Sequence, residues 1–577
     1  MWSTVPVPRL GIPRVRVTDG PNGARGSSMG SAGPTSVCVP CGSALGATWD
    51  PALMERVGAL LGEEARTKSA RVLLAPTVNM HRSPLAGRNF ECYSEDPYLA
   101  GRQAAAFVRG AQSRGVATTV KHLVGNDAEH ERHSISSVID ERTLREIYLV
   151  PFEMAVRDGG SLGIMTAYNR LNGLFTTQRP DLLHDIIREE WGFEGFFVTD
   201  WYGVATTADS AAAGLDLEMP GPGRAFGPAL AEAVKSGRVP AEQLDGAVRR
   251  LLTVYERIGA LDDPIEPDEE RAVDDPERRA LAREAAVEGI VLLRNDGLLP
   301  LAAEGLRRVA VIGPNATRAQ MMGGGSAHVR PHYRTTPLDA LRAVLGANLD
   351  VVYEPGCHID RGVPTLKADR LETAGGGRGL DLEFYATPDL SGPVVRREVL
   401  GETRFFSLGS PGPGVPDAGF SLRARATYVP ELTGSHLFTL TQAGRARLLV
   451  AGETVIDGFV APPPRGREFF GMGSEEATAT VELQAGRPVE ITIEFSSEGS
   501  NAVYGTRIGC TRPWPADLME RAEAAAAGAD AVVVVVGNNE DWETEGEDRA
   551  FMHLPGRQDE LVERVMAANP NTVVAVN

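Results

Sequence analysis

The stretch Phe196-Phe197-Val198-Thr199-Asp200-Trp201 sets four strand-forming residues in a row and ends them on a carboxylate. A run this short and apolar reads as a strand buried on both faces, as parallel sheets require. The same pattern recurs upstream at Val15 to Asp19, Val72 to Asn79, Ala117 to His122 and Gly163 to Asn169, and downstream at Gly214 to Glu218. Helix-like stretches separate the runs. This βα rhythm predicts a parallel sheet, with a (β/α)8-type barrel as the expected arrangement. The carboxyl ends of barrel strands converge on one face, and here they carry Asp19, Lys121, His122, Tyr168 and Asp200. Polar residues at strand ends also cap the helices that follow. Five together are expected to form a site.

Outward from the barrel, Ala229 to Gly259 reads as helix, and Asp262-Asp263-Pro264-Ile265-Glu266-Pro267-Asp268-Glu269-Glu270 has the charge and prolines of an exposed linker. The expected division is a catalytic barrel at 1–262 and a linker at 263–285. A helical stretch then leads into Gly289 to Arg294. The runs Val309 to Gly313, Val351 to Tyr353, Ala531 to Gly537 and Thr572 to Val576 predict an α/β sandwich domain in two parts, 286–360 and 511–577. Between 361 and 510 the pattern changes to alternation rich in Gly and Pro, as in Phe420 to Tyr428, His436 to Leu440, Arg445 to Val450 and Ala477 to Leu483. That predicts an inserted all-β sandwich.

A chain of 577 residues exceeds what one core can serve, so several domains are expected. The formal net charge of −19 opposes a polyanion, which argues against nucleic acid as a partner and leaves a neutral small molecule unhindered. No run approaches the roughly 20 apolar residues of a membrane helix, so no membrane partner is expected. Met1-Trp2-Ser3-Thr4-Val5-Pro6 lacks the regions of a signal peptide, which favours a cytoplasmic location, or a secreted one if sequence is missing ahead of it. Cys38 and Cys41 form the one CxxC among five cysteines; with no second pair, they are expected as small buried residues beside a strand, and no metal is assigned. Gly323-Gly324-Gly325-Ser326 lacks the Lys and spacing of a P-loop, so it reads as a loop closely approached by another element, and no cofactor is assigned. A homo-oligomer is left open.

Several segments, in order, carry a family resemblance. They are Thr18-Asp19-Gly20-Pro21-Asn22-Gly23-Ala24-Arg25, Gly87-Arg88-Asn89-Phe90-Glu91, Ser94-Glu95-Asp96-Pro97, Val120-Lys121-His122, Ala167-Tyr168-Asn169-Arg170-Leu171-Asn172-Gly173 and Val198-Thr199-Asp200-Trp201. Gly214-Leu215-Asp216-Leu217-Glu218-Met219-Pro220-Gly221, Gly323 to Ala327, Glu543-Thr544-Glu545-Gly546-Glu547-Asp548-Arg549 and Leu554-Pro555-Gly556 follow. Together the chain resembles glycoside hydrolase family 3, particularly its β-glucosidases.

The resemblance implies a retaining reaction in which Asp200 forms a covalent glycosyl-enzyme and a second carboxyl group serves as acid/base, with no cofactor. Glu543, Glu545 and Glu547 all stand in one acidic loop, and alignment with the family's Glu-Gly pattern selects Glu545, which would put the site between two domains. Asp19, Arg25, Arg88, Lys121, His122 and Arg132 are the implied sugar-binding groups, with Tyr168 beside the nucleophile and Trp201 against an apolar sugar face. The expected partner is a small β-glucoside or oligosaccharide. N-acetylhexosaminidases of the family use a His-Asp pair in a glycine-rich loop, and Leu123 to Arg132 departs from it despite Asp127 and His130. The insert resembles a protective-antigen-type β-domain, most clearly at Leu448 to Asp457. The chain starts close to the first strand and ends just after another, so a piece of a longer architecture is expected. The alternatives are a β-xylosidase or other β-glycosidase, and an inactive carbohydrate-binding fragment.

Overall fold

The computed structural model describes residues 2–26, 33–265, 269–302, 305–466, 468–500, 503–511 and 515–577. The linker residues 266–268 lie outside it. In the amino-terminal part, β1 (Val17–Asp19), β2 (Val72–Leu74) and β3 (Ala117–Thr118) pair in parallel, and so do β4 (Val120–Leu123), β5 (Gly163–Thr166) and β6 (Phe196–Thr199). A parallel bridge from Thr77 to Lys121 joins the two runs, so the strands follow one another in chain order. They are buried throughout. Val17, Val72, Ala117, Met165, Phe196, Val198 and Met219 gather in one interior cluster, closed by Val254 and Tyr255 of the helix Ala241–Arg257.

The outer helices start where their chemistry directs. Asp50 caps Pro51–Thr67 by accepting from the N–H groups of Ala52 and Leu53, and Asp96 caps Pro97–Gln112 through Tyr98 and Leu99. In each, proline takes the first helical position, where its missing N–H costs nothing. The two helices pack on one another and bury Leu53, Val57, Leu61, Ala104, Phe107 and Ala111.

In the second domain four parallel strands take the order Asp350–Glu354, Arg308–Ile312, Ala531–Val536, Thr572–Val576. Between the second and third of these in sequence the chain leaves to form two antiparallel sheets, one centred on Ser421–Tyr428 and Val489–Ser496, the other on Gly434–Ala443 and Val503–Thr511. Their inner faces share a core that includes Phe384, Phe420, Phe438, Leu448, Ile493 and Phe495.

Several local expectations are corrected. Lys121 and His122 sit inside β4 rather than at its end. The stretch Gly214 to Glu218 contributes a single bridge, Leu217 to Val198, because Asp216 turns inward to ionic partners. Cys38 and Cys41 are half-buried in the loop before the helix Gly42–Ala47 instead of buried beside a strand.

Candidate active site

Asp200 leaves β6 at the carboxyl end of the sheet. Its side chain is 11% exposed. Oδ1 accepts from the N–H of Trp201 at 2.7 Å, and Oδ2 has no hydrogen-bond partner among the described residues. Burial pushes Asp200 above the usual carboxylate value, while the positive charges of Arg88, Arg132 and Lys121 oppose that rise.

His122 Nε2 lies 3.5 Å from Oδ2. Burial, with Arg88 and Lys121 nearby, holds the imidazole well below its ordinary pKa, so it is neutral. Its tautomer follows from Asn79. The Asn79 amide donates Nδ2–H to the His122 carbonyl at 3.1 Å and its Oδ1 accepts the His122 N–H at 3.0 Å, so Oδ1 is also the atom that meets Nδ1 at 2.9 Å. Nδ1 therefore carries the proton and Nε2 presents a lone pair. Two acceptors facing each other explains why no bond forms between Nε2 and Asp200.

Around this pair the charged groups are fixed by one another. Asp19 accepts from Lys121 Nζ at 2.9 Å and from Arg25 Nη2 at 3.2 Å. Arg88 pairs with Glu91, and Arg132 with Glu129 at 2.9 Å. The Arg132 guanidinium lies 4.7 Å over the ring of Tyr168, whose hydroxyl donates to the Trp201 carbonyl at 2.9 Å. His133 packs on the same ring at a tilt of 57° with centroids 4.3 Å apart, and burial, then Arg132, lowers its pKa to about 4. The ring of Trp201 tilts against Trp2 at 4.8 Å.

From the second domain the Glu545 side chain reaches into this pocket. Glu545 Oε1 accepts from Arg132 at 2.9 Å and lies 3.7 Å from Arg88 Nη1, while Oε2 accepts from the Ser326 N–H at 2.7 Å. Burial alone would raise its pKa, but the two guanidinium groups and Ser326 outweigh burial and hold it well below the usual range. The neighbouring acids point elsewhere: Glu543 accepts from Asn538 at 2.6 Å, and Glu547 pairs with Arg361. The Gly323-Gly324-Gly325 loop is what lets Glu545 in. A Cβ on Gly325 would stand 2.3 Å from that of Glu545, and its φ of +104° is a conformation other residues rarely adopt.

All ten residues singled out in the sequence thus converge on one pocket or its wall. Asn79, Glu129, His133, Ser326 and Asp548 are part of it and were not singled out. Asp548 and Ser326 stood inside quoted motifs, and the Glu129-x-x-Arg132 spacing of an (i, i+3) ion pair was a readable signal. Nothing local marked Asn79. Asp127 is half-buried and accepts from the Met80 N–H, with its pKa raised to about 7 by desolvation, and His130 is exposed.

Asp200 and Glu545 are thus two buried carboxyl groups of opposite tendency gathered around the same cations, Arg88 and Arg132. The chain belongs to glycosyl hydrolase family 3: the family's N-terminal domain matches residues 3–254 and its C-terminal domain residues 290–577. It is 46% identical over 581 aligned residues to a β-glucosidase of Rhizobium radiobacter, covering 100% of this chain and 69% of that one. A probable β-glucosidase J of Aspergillus fumigatus is 40% identical over 605 residues, with 100% and 69% covered. The crystal structure of a β-glucosidase from Kluyveromyces marxianus in complex with glucose superposes with a TM-score of 0.94 at 36% identity, covering 100% of this chain and 70% of that one.

Proposed function

We propose that this glycoside hydrolase is a retaining, exo-acting β-glucosidase that releases terminal β-D-glucosyl residues, with Asp200 as nucleophile and Glu545 as acid/base. The observation that carries the reading is the pairing of an Asp200 oxygen without a hydrogen bond among the described residues with a carboxylate delivered from the other domain. The relatives named β-glucosidase, one of them holding glucose, support the substrate.

In the first step Asp200 Oδ2 bonds to the anomeric carbon as the glycosidic C–O bond breaks, and Glu545 gives its proton to the departing oxygen. In the second, Glu545 takes a proton from water, whose oxygen replaces Asp200. Glu545 must begin protonated, yet in the sugar-free pocket it is held as an anion. Arg88 and Arg132 reconcile the two states: sugar hydroxyls accept from the same guanidinium groups, free Glu545 from them, and raise its pKa when it must act as an acid. Asp19, Lys121 and the Nε2 lone pair of His122 supply further hydroxyl contacts, and Trp201 an apolar face.

On this reading the six parallel strands, with the Leu217 bridge, are a variant of the (β/α)8 barrel, and the two antiparallel sheets are the protective-antigen-like insert. The test is product stereochemistry. Proton NMR of p-nitrophenyl β-glucoside turnover should show β-glucose first, with the rate abolished in Asp200→Ala. α-Glucose as first product would refute retention, and turnover persisting in Asp200→Ala would refute the nucleophile.

A further inference from the structure

Glu545 and Asp200 belong to different domains, so their registry has to come from contacts between domains. The direct ones, from Glu545 to Arg88 and Arg132, are those the sugar displaces. Others persist: Arg25 donates to the Ser326 carbonyl at 2.9 Å and Ser36 pairs with Arg330 and His332, but those nearest the Glu545 peptide lie in the residues that follow it.

The Asp548 carboxylate reaches across to the barrel and accepts from three backbone N–H groups: Gly87 at 3.0 Å, Glu129 at 2.9 and 3.0 Å to its two oxygens, and His130 at 2.9 Å. In the opposite direction the Glu129 side chain accepts from the N–H of Gly546 at 2.7 Å through Oε2, the same oxygen that takes Arg132. Gly87 has no room for a side chain, since an added Cβ would meet the Glu547 carbonyl at 1.9 Å and that of Thr544 at 2.4 Å. The Arg549 N–H closes the seam on the Leu85 carbonyl at 2.7 Å. Carboxylates binding backbone N–H groups make stronger bonds than neutral pairs, and these hold main chain rather than flexible side chains.

We propose that Asp548 and Glu129 form a reciprocal clasp between the domains, and that both are positioning residues which keep the Glu545 carboxyl over the pocket once substrate has taken its arginine partners. The proposal rests on the reading of Glu545 as acid/base. Each arm of the clasp grips the strand of chain next to a catalytic element: Asp548 holds the Arg88 and Arg132 loops, and Glu129 holds the peptide adjoining Glu545. Contacts of this kind to the main chain on either side of Glu545 govern whether a proton donor sits within reach of its oxygen.

The test separates proton donation from general damage. kcat/KM is measured for 2,4-dinitrophenyl β-glucoside, whose leaving group needs no proton, and phenyl β-glucoside, whose leaving group does. The proteins are the parent, Asp548→Asn, Glu129→Gln and Glu545→Gln. Since general acid catalysis contributes roughly 10²- to 10⁴-fold, Asp548→Asn should lose about 30-fold or more on the phenyl substrate and far less on the dinitrophenyl one, while Glu129→Gln, which also loosens Arg132, should lose on both substrates but at least about 10-fold more on the phenyl one. Equal losses on both substrates, or none, would overturn the clasp. Glu545→Gln reports separately on the underlying reading: if its losses do not depend on the leaving group, Glu545 is not the acid. Should Asp548→Asn fail to fold, Glu129→Gln alone decides, because it removes one arm and leaves the three-donor arm intact.

Discussion

Replacing Asp216 with alanine should destabilise the barrel by about 3 kcal/mol, at the lower end of the cost of breaking a buried ion pair. The side chain is fully buried. It accepts from Arg188 Nη2 at 2.7 Å, from Arg250 Nε at 2.8 Å and from the Phe197 N–H at 2.7 Å. The lower end follows from what the partners could do without it. Arg250 is 27% exposed and can turn to water, whereas Arg188, 10% exposed, stays buried but keeps the carbonyls of Phe193, Gly195 and Gly214. A loss of ~3 kcal/mol is roughly a 150-fold shift in the folding equilibrium and about 6–12 °C in the melting point of a domain of this size. Because Phe197 lies three residues before Asp200, β6 should also deliver the nucleophile less well, lowering kcat below what folded fraction explains. Urea unfolding followed by tryptophan fluorescence suits the measurement, since Trp2, Trp49, Trp191 and Trp201 all lie in the barrel part. Arg142→Ala is the control: its pair with Glu146 is exposed, and its loss should cost about 0.5 kcal/mol or less. A change under about 1 kcal/mol in Asp216→Ala would refute the reasoning.

Three further outcomes are expected. Because kcat/KM reports the free enzyme, in which the arginines hold Glu545 low while burial raises Asp200, the acidic limb should follow Glu545 and lie below the ordinary Glu value; Arg88→Met, by removing a cation that favours that anion, should move the limb up, and an unchanged or lowered limb would contradict this. Asn79→Leu should unlock the His122 tautomer and cost about 10-fold in kcat/KM, while ¹⁵N NMR of the parent should find the ring proton on Nδ1; a proton on Nε2 would refute the assignment. Gly325→Ala should lower kcat at least about 10-fold with the barrel transition unchanged, since a methyl group 2.3 Å from the Glu545 Cβ must move one of them, and full activity would show the loop to be adaptable.

How far the sequence could be read depended on the kind of signal. Buried strands such as Phe196–Thr199 declare themselves by uninterrupted apolar runs, and the motif residues sit on or beside those strands, so the pocket's first ring was legible. Register in space was not. Nothing in Gly214 to Glu218 distinguishes a strand from a loop until Arg188 and Arg250 are seen to draw Asp216 inward. Asn79 looked like the polar end of a strand, and only the fold brings it to His122, 43 residues away. By chemistry alone the three glutamates of the 543–547 loop were equivalent; the family's Glu-Gly pattern selected Glu545, and in space Asn538, the Arg88–Arg132 pair and Arg361 each take a different one.

The most direct test of the account is to trap the glycosyl-enzyme with 2,4-dinitrophenyl 2-deoxy-2-fluoro-β-glucoside and map the modified peptide by mass spectrometry. A single fluoroglucosyl group is expected on the peptide containing Asp200, with none in Asp200→Ala. A label on another carboxylate, or full turnover of the fluorosugar by an enzyme that never accumulates one, would contradict it.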